Sequence, residues 1–493
     1  MAVIRVEKPD EVHLRVYSDD AGLEYDLSDY FTYEYPGAKF TPKYKARLWD
    51  GLVRLYCPIR KTLYVGLLDY LHVFAEHGGH TVEYIGDVRE HKDISVETIW
   101  EFVKGLNLYG RGKPIDIRDY QVEAIHIALS HLRKVILSPT GSGKSLIIYS
   151  LIRWLLGEHK KILILVPTTS LVEQLYGDFE DYSTGNGWST DTHCQKLYSG
   201  FPKHFQKDIL ISTWQSVYKQ PKVWFDQFDA IIGDEAHLFK ANSLTNIMSK
   251  LENVKHRIGT TGSLDDKKLH KLVLEGIFGP VHRVTTTKKL IEENKLSDLR
   301  IEALILKYPE EVLKSCKGMD YQKEMDFIVS YDKRNVFIAR LVNQLKGNSL
   351  VLFQYVEKHG KPLYDLIKAN TDRPVFFISG AVDTDERERI RHTLSTVDNA
   401  IVVASFGTTS TGINIPSIEN IIFASPSKSK IRNLQSIGRG LRLNDGKTHC
   451  KLFDLADDLR RGSKANHTLR HAMERYKLYS EEQFKLKLTE IKL

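Results

Sequence analysis

One segment of the chain has the composition of a phosphate-binding loop. Residues 138–145 read Ser-Pro-Thr-Gly-Ser-Gly-Lys-Ser and directly follow the apolar run 134–137, which is typical of a buried strand. The apolar stretch 146–156 has the length of a helix. Such a strand, loop and helix can cradle a triphosphate, because loop amides and the helix N-terminus face the anion. Lys144 then adds a positive charge, and the Ser145 hydroxyl reaches Mg²⁺.

A second segment, Asp234-Glu235-Ala236-His237, supplies two carboxylates at the end of another apolar run, 230–232. Carboxylates at this place suit a magnesium ion and the water that attacks the γ-phosphate. Taken alone, a Gly-Lys-Ser turn also fits an exposed loop, and an Asp-Glu pair also fits a solvated strand end. Both segments in this order, each after an apolar strand, predict a site that binds ATP and Mg²⁺ and hydrolyses ATP.

The expected role of each residue follows from phosphoryl transfer, which depends on positioning and on charge neutralisation. We expect Lys144 and the loop amides to hold the β- and γ-phosphates. Ser145 and Asp234 would hold Mg²⁺, and Glu235 would orient and deprotonate the attacking water. The residues of the predicted nucleotide-binding loop are Pro139, Thr140, Gly141, Ser142, Gly143, Lys144 and Ser145.

The composition excludes several classes of protein. The 493 residues are 42% apolar and 27% charged, as in ordinary globular proteins, and suffice for about three domains. No apolar run approaches the ~18 residues that span a bilayer, so we expect no membrane partner. The four scattered cysteines favour a reducing compartment and a cytoplasmic location. A net charge of +7 is compatible with binding to nucleic acid without proving it.

The elements that must position these residues alternate between strands and helices. The strand candidates form two series, residues 135–138, 162–167, 209–213, 230–234 and 257–261, then 350–354, 375–379, 400–405 and 421–425. Helical stretches lie between several of them, which is typical of parallel sheets with helices on both faces. The sequence therefore predicts an α/β fold with two such domains in tandem.

Segments outside the two α/β domains complete the predicted organisation. Its parts are a small α+β domain at 1–95, a linker at 96–114, the α/β domains at 115–285 and 286–460, and a helical segment at 461–493. In the first part, residues 30–35 have the aromatic-rich pattern of a strand, and residues 67–77 have the pattern of a helix that ends at two glycines.

The densest basic stretch lies at residues 39–61. Its cations are Lys39, Lys43, Lys45, Arg47, Arg54, Arg60 and Lys61, against the single acid Asp50, and its rings are Phe40, Tyr44, Trp49 and Tyr56. In one interpretation this is a DNA-binding surface, where Lys43, Lys45 and Arg47 contact phosphates and Trp49 stacks on a base. In the other it is a solvated strand face above core aromatic residues. The sequence leaves both open.

Further motifs, in a characteristic order from residue 118 to about 445, resemble those of the superfamily 2 helicases. They include Arg118-Asp119-Tyr120-Gln121, Val166-Pro167-Thr168-Thr169-Ser170, Ser199-Gly200, Ser212-Thr213-Trp214-Gln215, Thr261-Gly262-Ser263, Phe353-Gln354-Tyr355, Ser379-Gly380, residues 405–414, and Gln435-Ser436-Ile437-Gly438-Arg439-Gly440-Leu441-Arg442. Two positions depart from the pattern. Ser138 replaces the first loop glycine, and Asn414 stands where many members carry Asp.

The resemblance implies roles for these residues. Arg118 and Gln121 would bind the adenine, and Gly412 and Asn414 would also lie at the nucleotide. Gln435, Arg439 and Arg442 would complete the catalytic site from the second domain. His237 would act with Thr261, Gly262 and Ser263 to couple nucleotide state to strand binding. The residues expected to contact nucleic acid in the motor domains are Pro167, Thr168, Thr169, Ser199, Gly200, Ser212, Thr213, Gln215, Gln354, Ser379, Gly380, Thr408 and Thr409.

Within this superfamily, the length, the small basic N-terminal domain and the short helical C-terminus are most similar to phage recombination helicases. This implies two RecA-like domains and an ATP-dependent helicase that remodels branched DNA (forks, Holliday junctions, D-loops) and the RNA–DNA hybrids of R-loops. It also implies a monomer in the host cytoplasm, with single-stranded-DNA-binding or recombination proteins as partners. A duplex translocase without strand separation, an RNA helicase and a motor that has lost catalysis are the alternatives.

Overall fold

The structure is a computed structural model and describes most of the chain. The described residues are 2–89, 91–110, 112–199, 204–240, 242–264, 267–380, 389–390, 393, 397–410, 418–429, 436–438, 441 and 449–493. They form two compact units. The first holds residues 1–138 and 143–284, and the second holds residues 285–493 together with residues 139–142. None of the helices in these described ranges is long and apolar enough to cross a membrane.

The first unit begins with a small mixed sheet. Its strands and the two short ribbons beside it are β1 (Val3–Glu7), β2 (His13–Tyr17), β3 (Thr32–Glu34), β4 (Leu52–Arg54), β5 (Tyr56–Cys57), β6 (Thr62–Tyr64), β7 (Thr81–Ile85), β8 (Tyr109–Gly110) and β9 (Lys113–Pro114). The sheet has the order β5-β6-β2-β1-β7, and only β1 and β7 run parallel. The helices of this region are Ala21–Tyr30, Ala38–Phe40, Pro42–Lys45, Val65–Leu67, Leu68–Gly78 and Val96–Gly105.

The larger sheet of the first unit has seven strands, which all run parallel. Its strands are β10 (Arg133–Leu137), β11 (Ile162–Val166), β12 (Cys194–Leu197), β13 (Ile209–Thr213), β14 (Ala230–Asp234), β15 (His256–Thr261) and β16 (Val281–Arg283), in the order β12-β13-β11-β14-β15-β10-β16. The helices are Asp119–His131, Lys144–Gly157, Thr169–Ser183, Thr190–His193, Trp214–Val217, Lys222–Phe225, Ala236–Lys240, Asn242–Lys250 and Lys268–Phe278. Near-continuous burial of β11 and β13 follows from coverage of both faces.

The small N-terminal sheet and this parallel sheet share a hydrophobic core. Leu269 and Leu272, on helix Lys268–Phe278, are buried among the apolar side chains of the N-terminal strands. Two polar contacts reinforce the junction. The Tyr70 hydroxyl lies 2.7 Å from Glu275 Oε2, and Arg133 pairs with Glu11 at 2.6 Å. The two sheets are therefore packed into one unit rather than joined only by a linker.

The second unit contains another seven-stranded parallel sheet. Its strands are β17 (Asp298–Lys307), β18 (Asn348–Phe353), β19 (Val375–Ile378), β20 (Ile401–Ser405), β21 (Ile418–Phe423), β22 (His449–Asp458) and β23 (Lys485–Lys492), in the order β19-β20-β18-β21-β22-β17-β23. The helices are Thr287–Glu292, Glu310–Ser315, Tyr321–Ser330, Asp332–Gln344, Val356–Gly360, Lys361–Lys368, Phe406–Ser410 and His467–Glu481. The predicted fold class, α/β with two parallel-sheet domains in tandem, is confirmed.

The prediction of a wholly helical C-terminal segment is wrong. Helix His467–Glu481 is present, but β23 follows it and pairs with β17 at the edge of the second sheet. The first four residues, Lys-Leu-Lys-Leu, alternate polar and apolar side chains as a strand does, and Leu486 and Ile491 are half-buried whereas Leu488 is 57% exposed. The strand predicted at 30–35 is likewise shorter, since helix Ala21–Tyr30 occupies its first position and β3 only Thr32–Glu34.

Candidate active site and nucleic-acid interface

The phosphate-binding loop has the backbone that its glycines predict. Gly141 and Gly143 have φ of 86° and 85°, a region that side chains with a Cβ adopt only with strain. Helix Lys144–Gly157 begins directly after Gly143. The Lys144 ammonium donates to the carbonyl of Ser138 at 3.3 Å, so it folds back over the start of the loop. The N-terminal amides of this helix and one cation thus lie where a polyphosphate can bind.

Gln121 lies beneath this loop rather than on an open surface. Its side chain is 3% exposed, and its amide nitrogen approaches Gly143 so closely that a Cβ at residue 143 would clash with it. The amide oxygen accepts the backbone N–H of Arg118 at 3.0 Å, which caps helix Asp119–His131. The Arg118 guanidinium in turn donates to the Tyr120 hydroxyl at 2.8 Å. The structure therefore brings Gln121 to the nucleotide-binding loop.

Asp234 and Glu235 lie at the carboxyl end of β14. Asp234 is opposite Thr260 of β15 in the sheet register, and the Thr260 hydroxyl donates to Asp234 Oδ1 at 2.7 Å. Glu235 has φ of 52°, the left-handed region, which is uncommon for a residue other than glycine and is often found at functional sites. Asp234 is thus the last residue of the strand, and the chain leaves the sheet at Glu235.

His237 links the carboxylates to the end of the neighbouring strand. Its Nδ1 lies 3.0 Å from the Thr261 hydroxyl and 3.3 Å from Glu235 Oε2. The Thr261 hydroxyl donates to the carbonyl of Ser263 at 2.9 Å. The four coupling candidates His237, Thr261, Gly262 and Ser263 therefore lie next to one another and next to Glu235.

The electrostatics of the site favour a bound cation. Burial, and then the nearby charge of Glu235, raise the pKa of Asp234 above its usual range, whereas Lys144 and the Thr260 hydroxyl oppose this. Two adjacent acids in a partly desolvated place repel each other, and a divalent cation would remove that repulsion. Oxygen donors from one or two side chains are what Mg²⁺ takes from a protein that also binds phosphates. The residues present fit Mg²⁺.

Ser145, the second Mg²⁺ candidate, already has a protein partner. Its hydroxyl lies 2.8 Å from the phenolic hydroxyl of Tyr182, on helix Thr169–Ser183. The same helix is capped at its N-terminus by the Thr168 side chain, one of the nucleic-acid candidates. One helix of the first unit thus contacts the nucleotide loop and begins at a predicted strand-gripping motif.

The nucleic-acid candidates of the first unit follow the carboxyl ends of its strands. Val166 pairs with Thr213 in the register of β11 and β13, which places the motifs after these strands side by side. Ser199, Thr169 and Gln215 are exposed, and the Gln215 amide reaches the carbonyl of Pro167 at 3.5 Å. Parallel strands collect such loops at one edge of the sheet.

Two hydroxyls of this group face inward instead. Ser212 is fully buried, and its hydroxyl donates to the carbonyls of Leu197 and Thr213 at 2.8 and 3.0 Å. The Thr213 hydroxyl lies 2.9 Å from that of Ser216 and supports the turn into the next helix. These two side chains stabilise the loop, whereas Thr169, Ser199 and Gln215 beside them are exposed to solvent. Gly200 lies outside the described residues.

In the second unit, a chain of buried hydrogen bonds, here called the relay, supports the end of β18. The backbone N–H of Gln354 donates to the Ser425 hydroxyl at 3.1 Å, and Ser425 lies 2.8 Å from Nδ1 of His359. Nε2 of His359 lies 3.2 Å from Asn335 Oδ1, and the Asn335 amide donates to the carbonyl of Val329. Burial lowers the pKa of His359 to about 3, so this ring is neutral. The relay leaves the Gln354 side chain exposed.

The other candidates of the second unit are only partly described. Ser379 is buried and Gly380 is exposed, and both follow β19. Thr408 is buried, with its hydroxyl donating to the carbonyl of Ser405 at 2.9 Å. Thr409 lies in helix Phe406–Ser410, but its side chain is not described. The predicted residues outside the described ranges are Gly412, Asn414, Gln435, Arg439 and Arg442.

Residues 39–51 of the N-terminal basic stretch lie in a loop, and residues 52–61 form β4, β5 and the turn that follows. Residues 35–51, here called the cationic loop, connect β3 and β4. Lys43, Lys45 and Arg47 are exposed on it, whereas Trp49 is half-buried. The Trp49 indole N–H donates to the carbonyl of Leu52 at 2.9 Å, and the ring meets the edge of Tyr35. The lysines and arginine are therefore available to a ligand, and Trp49 serves the loop's own packing.

Three residues that support the site were not predicted from the sequence. Thr260 orients Asp234, Tyr182 holds Ser145, and His359 supports Gln354 through Ser425. Thr260 directly precedes a recognised motif at a strand end, and this position was a usable signal. Tyr182 and His359 lie far from their partners in the chain, so only the fold brings them into contact.

Three family models match the chain. They are the type III restriction enzyme res subunit over residues 114–265, the N-terminal domain of DNA helicase UvsW over residues 4–84, and the helicase conserved C-terminal domain over residues 332–444. With the two parallel sheets and the strand-end motifs, they define a superfamily 2 helicase with tandem RecA-like domains. The protein is an ATP-dependent DNA helicase.

Similarity extends over the whole length of one relative. The ATP-dependent DNA helicase UvsW of Enterobacteria phage T4 is 34% identical over 499 residues, which cover 98% of each sequence. The crystal structure of T4 UvsW covers 99% of both chains with a TM-score of 0.53 and 33% identity. The chain belongs to the UvsW family of helicases. The restriction-modification enzyme LlaBIII bound to DNA has a TM-score of 0.57 over 77% of this chain and 32% of its own, at 17% identity, and shares the fold.

Proposed function

We propose that this helicase couples ATP hydrolysis to the remodelling of branched DNA, namely forks, Holliday junctions and D-loops, and of R-loops. The observation that supports this most is the shared core of the N-terminal sheet and the first parallel sheet, through Leu269 and Leu272. It fixes the cationic loop on the same unit as Lys144, Asp234 and Glu235. A branch contact made by the cationic loop would then move with the ATP site.

The hydrolysis step assigns one task to each side chain of the ATP site. Lys144 and the amides of the loop hold the β- and γ-phosphates, and Glu235 accepts a proton from the attacking water. Ser145 and Asp234 hold Mg²⁺, which when bound neutralises charge on the phosphate oxygens. Thr260 keeps Asp234 aimed at that place. Gln121, whose amide lies close to Gly143, is proposed to bind the adenine side of the nucleotide.

The second α/β domain, residues 286–460 in our proposal, contributes Gln435, Arg439 and Arg442 to the same reaction. Arginine fingers of this kind are worth about 10³–10⁵ in rate where they are measured. Because they belong to another domain than residues 115–285, hydrolysis would depend on domain closure. Closure on ATP and reopening after hydrolysis would supply the movement along DNA.

Contacts of the motor domains with nucleic acid are proposed to be phosphate contacts. Exposed Thr169, Gln215 and Gln354 follow strand ends and offer hydroxyl and amide groups, which carry no base information when bound to phosphate. The lysines of the cationic loop add a salt-sensitive term. The expected preference is for DNA shape rather than DNA sequence, with host single-stranded-DNA-binding or recombination proteins as candidate partners in the host cytoplasm.

The test is a comparison of nucleic acids as activators of ATP hydrolysis. The full chain is mixed with equal nucleotide concentrations of a four-way junction, a fork, an R-loop, a linear DNA duplex and an RNA duplex. We expect the branched DNAs and the R-loop to activate most. Equal activation by linear duplex would favour a duplex translocase, and strongest activation by RNA duplex would favour an RNA helicase. Either result contradicts the proposal.

A double variant separates the cationic loop from the motor. Replacing Lys43 and Lys45 by Ala should weaken junction binding and lower the salt slope by about 2, since each phosphate contact contributes about 0.9. The matched control replaces Lys314 and Lys317, which are also exposed but lie in the second unit. Equal losses in the two double variants would show that the cationic loop has no special part in binding.

A further inference from the structure

The cationic loop is packed against itself and does not depend on a ligand for its shape. Its two ends are joined by the N–H of Tyr35, which donates to the carbonyl of Gly51 at 2.8 Å. Ala38 is 1% exposed, and a Cβ on Gly51 would lie 3.0 Å from Ala38 and from the Tyr44 ring. Gly51 also has φ of 82°. The residues that face inward are therefore set by close packing, and so are those that face outward.

Two large apolar side chains of this loop face solvent. Phe40 is 82% exposed and Leu48 is 80% exposed. In the sequence of the loop both alternate with Lys39, Lys43, Lys45 and Arg47, and within the described part of the chain none of these four cations forms an ion pair. The one acid of the loop, Asp50, is paired with Arg54 at 2.6 Å. The surface of the loop therefore combines two exposed apolar side chains, Phe40 and Leu48, here called the apolar tips, with positive charge that no acid of the loop neutralises.

The chemistry of this surface indicates the kind of ligand that it fits. A phosphate chain satisfies the four cations, but the apolar tips need an apolar face within a few ångströms of phosphates. Bases inside a continuous duplex hide their faces in the stack, whereas a base at a branch point or in a single strand exposes its face. Apolar wedges such as Phe and Leu enter DNA between base steps and stabilise an unstacked base.

We propose that Phe40 and Leu48 pack on an unstacked base at the branch point of DNA while Lys43, Lys45 and Arg47 hold the flanking phosphates. This assignment rests on the proposed function in branched DNA. It transfers the base contact from Trp49, whose ring and indole N–H are used inside the loop, to the two exposed apolar side chains of the same loop.

The tips are tested one at a time in the full chain. Phe40→Ala and Leu48→Ala remove exposed side chains, so their thermal unfolding should match that of the parent chain. The matched control is Tyr25→Ala, an aromatic residue of the same N-terminal region that is 73% exposed but lies beside the acids Glu24 and Asp26. Binding is measured by fluorescence anisotropy on a four-way junction and on a linear duplex of equal length.

Phe40→Ala should weaken junction binding by about 5- to 150-fold, the range of one base–aromatic contact, and leave linear-duplex binding nearly unchanged. A 2-aminopurine at the branch point should change its fluorescence on binding of the parent chain and much less with Phe40→Ala. Leu48→Ala should have the same direction, and Tyr25→Ala should have no effect.

Two failures are distinguishable. If the parent chain binds linear duplex as tightly as the junction, the proposed function in branched DNA is contradicted. If the parent prefers the junction and Phe40→Ala and Leu48→Ala keep that preference and the 2-aminopurine signal, only the assignment of the tips is overturned. Loss of binding to both DNAs equally would also overturn it, because a general phosphate contact would then explain the effect.

Discussion

The hydroxyl of Ser145 and the phenolic hydroxyl of Tyr182 lie 2.8 Å apart. Ser145 belongs to the nucleotide loop, and Tyr182 belongs to helix Thr169–Ser183, which begins at the strand-gripping candidate Thr168. When the phenol donates its proton to Ser145 Oγ, it occupies a lone pair of this oxygen, and a metal ion then competes with the phenol for the same atom. Binding of Mg²⁺ with nucleotide would therefore act on a helix that is capped by Thr168, a residue proposed to contact nucleic acid.

Replacing Tyr182 by Phe should make the nucleotide site easier to fill. The change removes only the hydroxyl, and one net hydrogen bond corresponds to about a 2- to 10-fold change in an equilibrium. We expect the Mg²⁺ concentration that half-saturates binding of a fluorescent ADP to fall by this factor. Tyr176→Phe is the control, since Tyr176 lies on the same helix with its hydroxyl near Asp191. An unchanged Mg²⁺ dependence in Tyr182→Phe would contradict the competition between the phenol and the metal.

Thr260 should matter through its hydroxyl rather than its volume. Thr260→Val keeps the shape of a fully buried side chain but removes the donor to Asp234 Oδ1. Residues that orient a metal ligand typically contribute about 10- to 100-fold to metal affinity or activity. We expect a loss of this size in the kcat of ATP hydrolysis. We expect a similar loss in Mg²⁺ affinity, measured by calorimetry with ADP. Thr260→Ser should recover most of it, and equal losses in Val and Ser would assign Thr260 to packing alone.

The buried relay around His359 predicts a loss of stability in acid. The pKa of His359 is about 3, below its ordinary value of about 6.5, because burial disfavours the charged ring. As pH falls below 6.5 the unfolded chain takes up a proton that the folded chain does not, so the free energy of unfolding decreases. Between pH 7 and pH 5 the loss from this group is about 2 kcal/mol.

The measurement is urea unfolding of the parent chain and of His359→Gln at both pH values. His359→Gln should be less stable at pH 7, because it disturbs the contacts with Ser425 and Asn335. It should nevertheless lose less stability on acidification than the parent chain. His256, whose pKa burial also lowers to about 4, contributes equally to both proteins. An identical pH dependence in the two proteins would show that His359 is not the group that titrates.

The shared core of the first unit predicts that the N-terminal sheet and the ATP-binding sheet unfold together. Leu272 is 1% exposed between them, and Leu→Ala changes at such sites cost about 2–5 kcal/mol. We expect Leu272→Ala to lower the unfolding temperature of both sheets in a single transition. Hydrogen exchange in β1 and in β11 reports the unfolding of each sheet. Faster exchange in β1 with no change in β11 would indicate that the N-terminal sheet is an independent domain.

Local signals made much of this fold predictable. The loop at 138–145 and the carboxylates at 234–235 follow short apolar strands, and each pattern is complete within about ten residues. β22 was not predicted, because its sequence carries Asp454, Asp457 and Asp458. The first two are buried against Arg475 and Arg334, and these arginines lie 21 and 123 residues away. No local pattern shows that such acids are neutralised.

The direction of a side chain in an irregular loop is also beyond a sequence pattern. The sequence shows Phe40, Tyr44, Leu48 and Trp49 interspersed with cations, but it shows neither that residues 35–51 form a loop nor which rings face inward. The contact of Gly51 with Ala38 and Tyr44 decides this. The edge strand β23 depends in the same way on a partner, β17, that is remote in the chain.

The most direct test of the whole account is strand movement in a four-way junction with homologous arms. Donor and acceptor dyes report branch migration while a coupled assay records ATP hydrolysis in the same sample. We predict that the parent chain moves the branch point only with ATP. Glu235→Gln should bind the junction and nucleotide but neither hydrolyse ATP nor move the branch point. Junction-activated hydrolysis without any branch movement, or branch movement at the parent rate by Glu235→Gln, would contradict the claim that this site drives the remodelling of branched DNA.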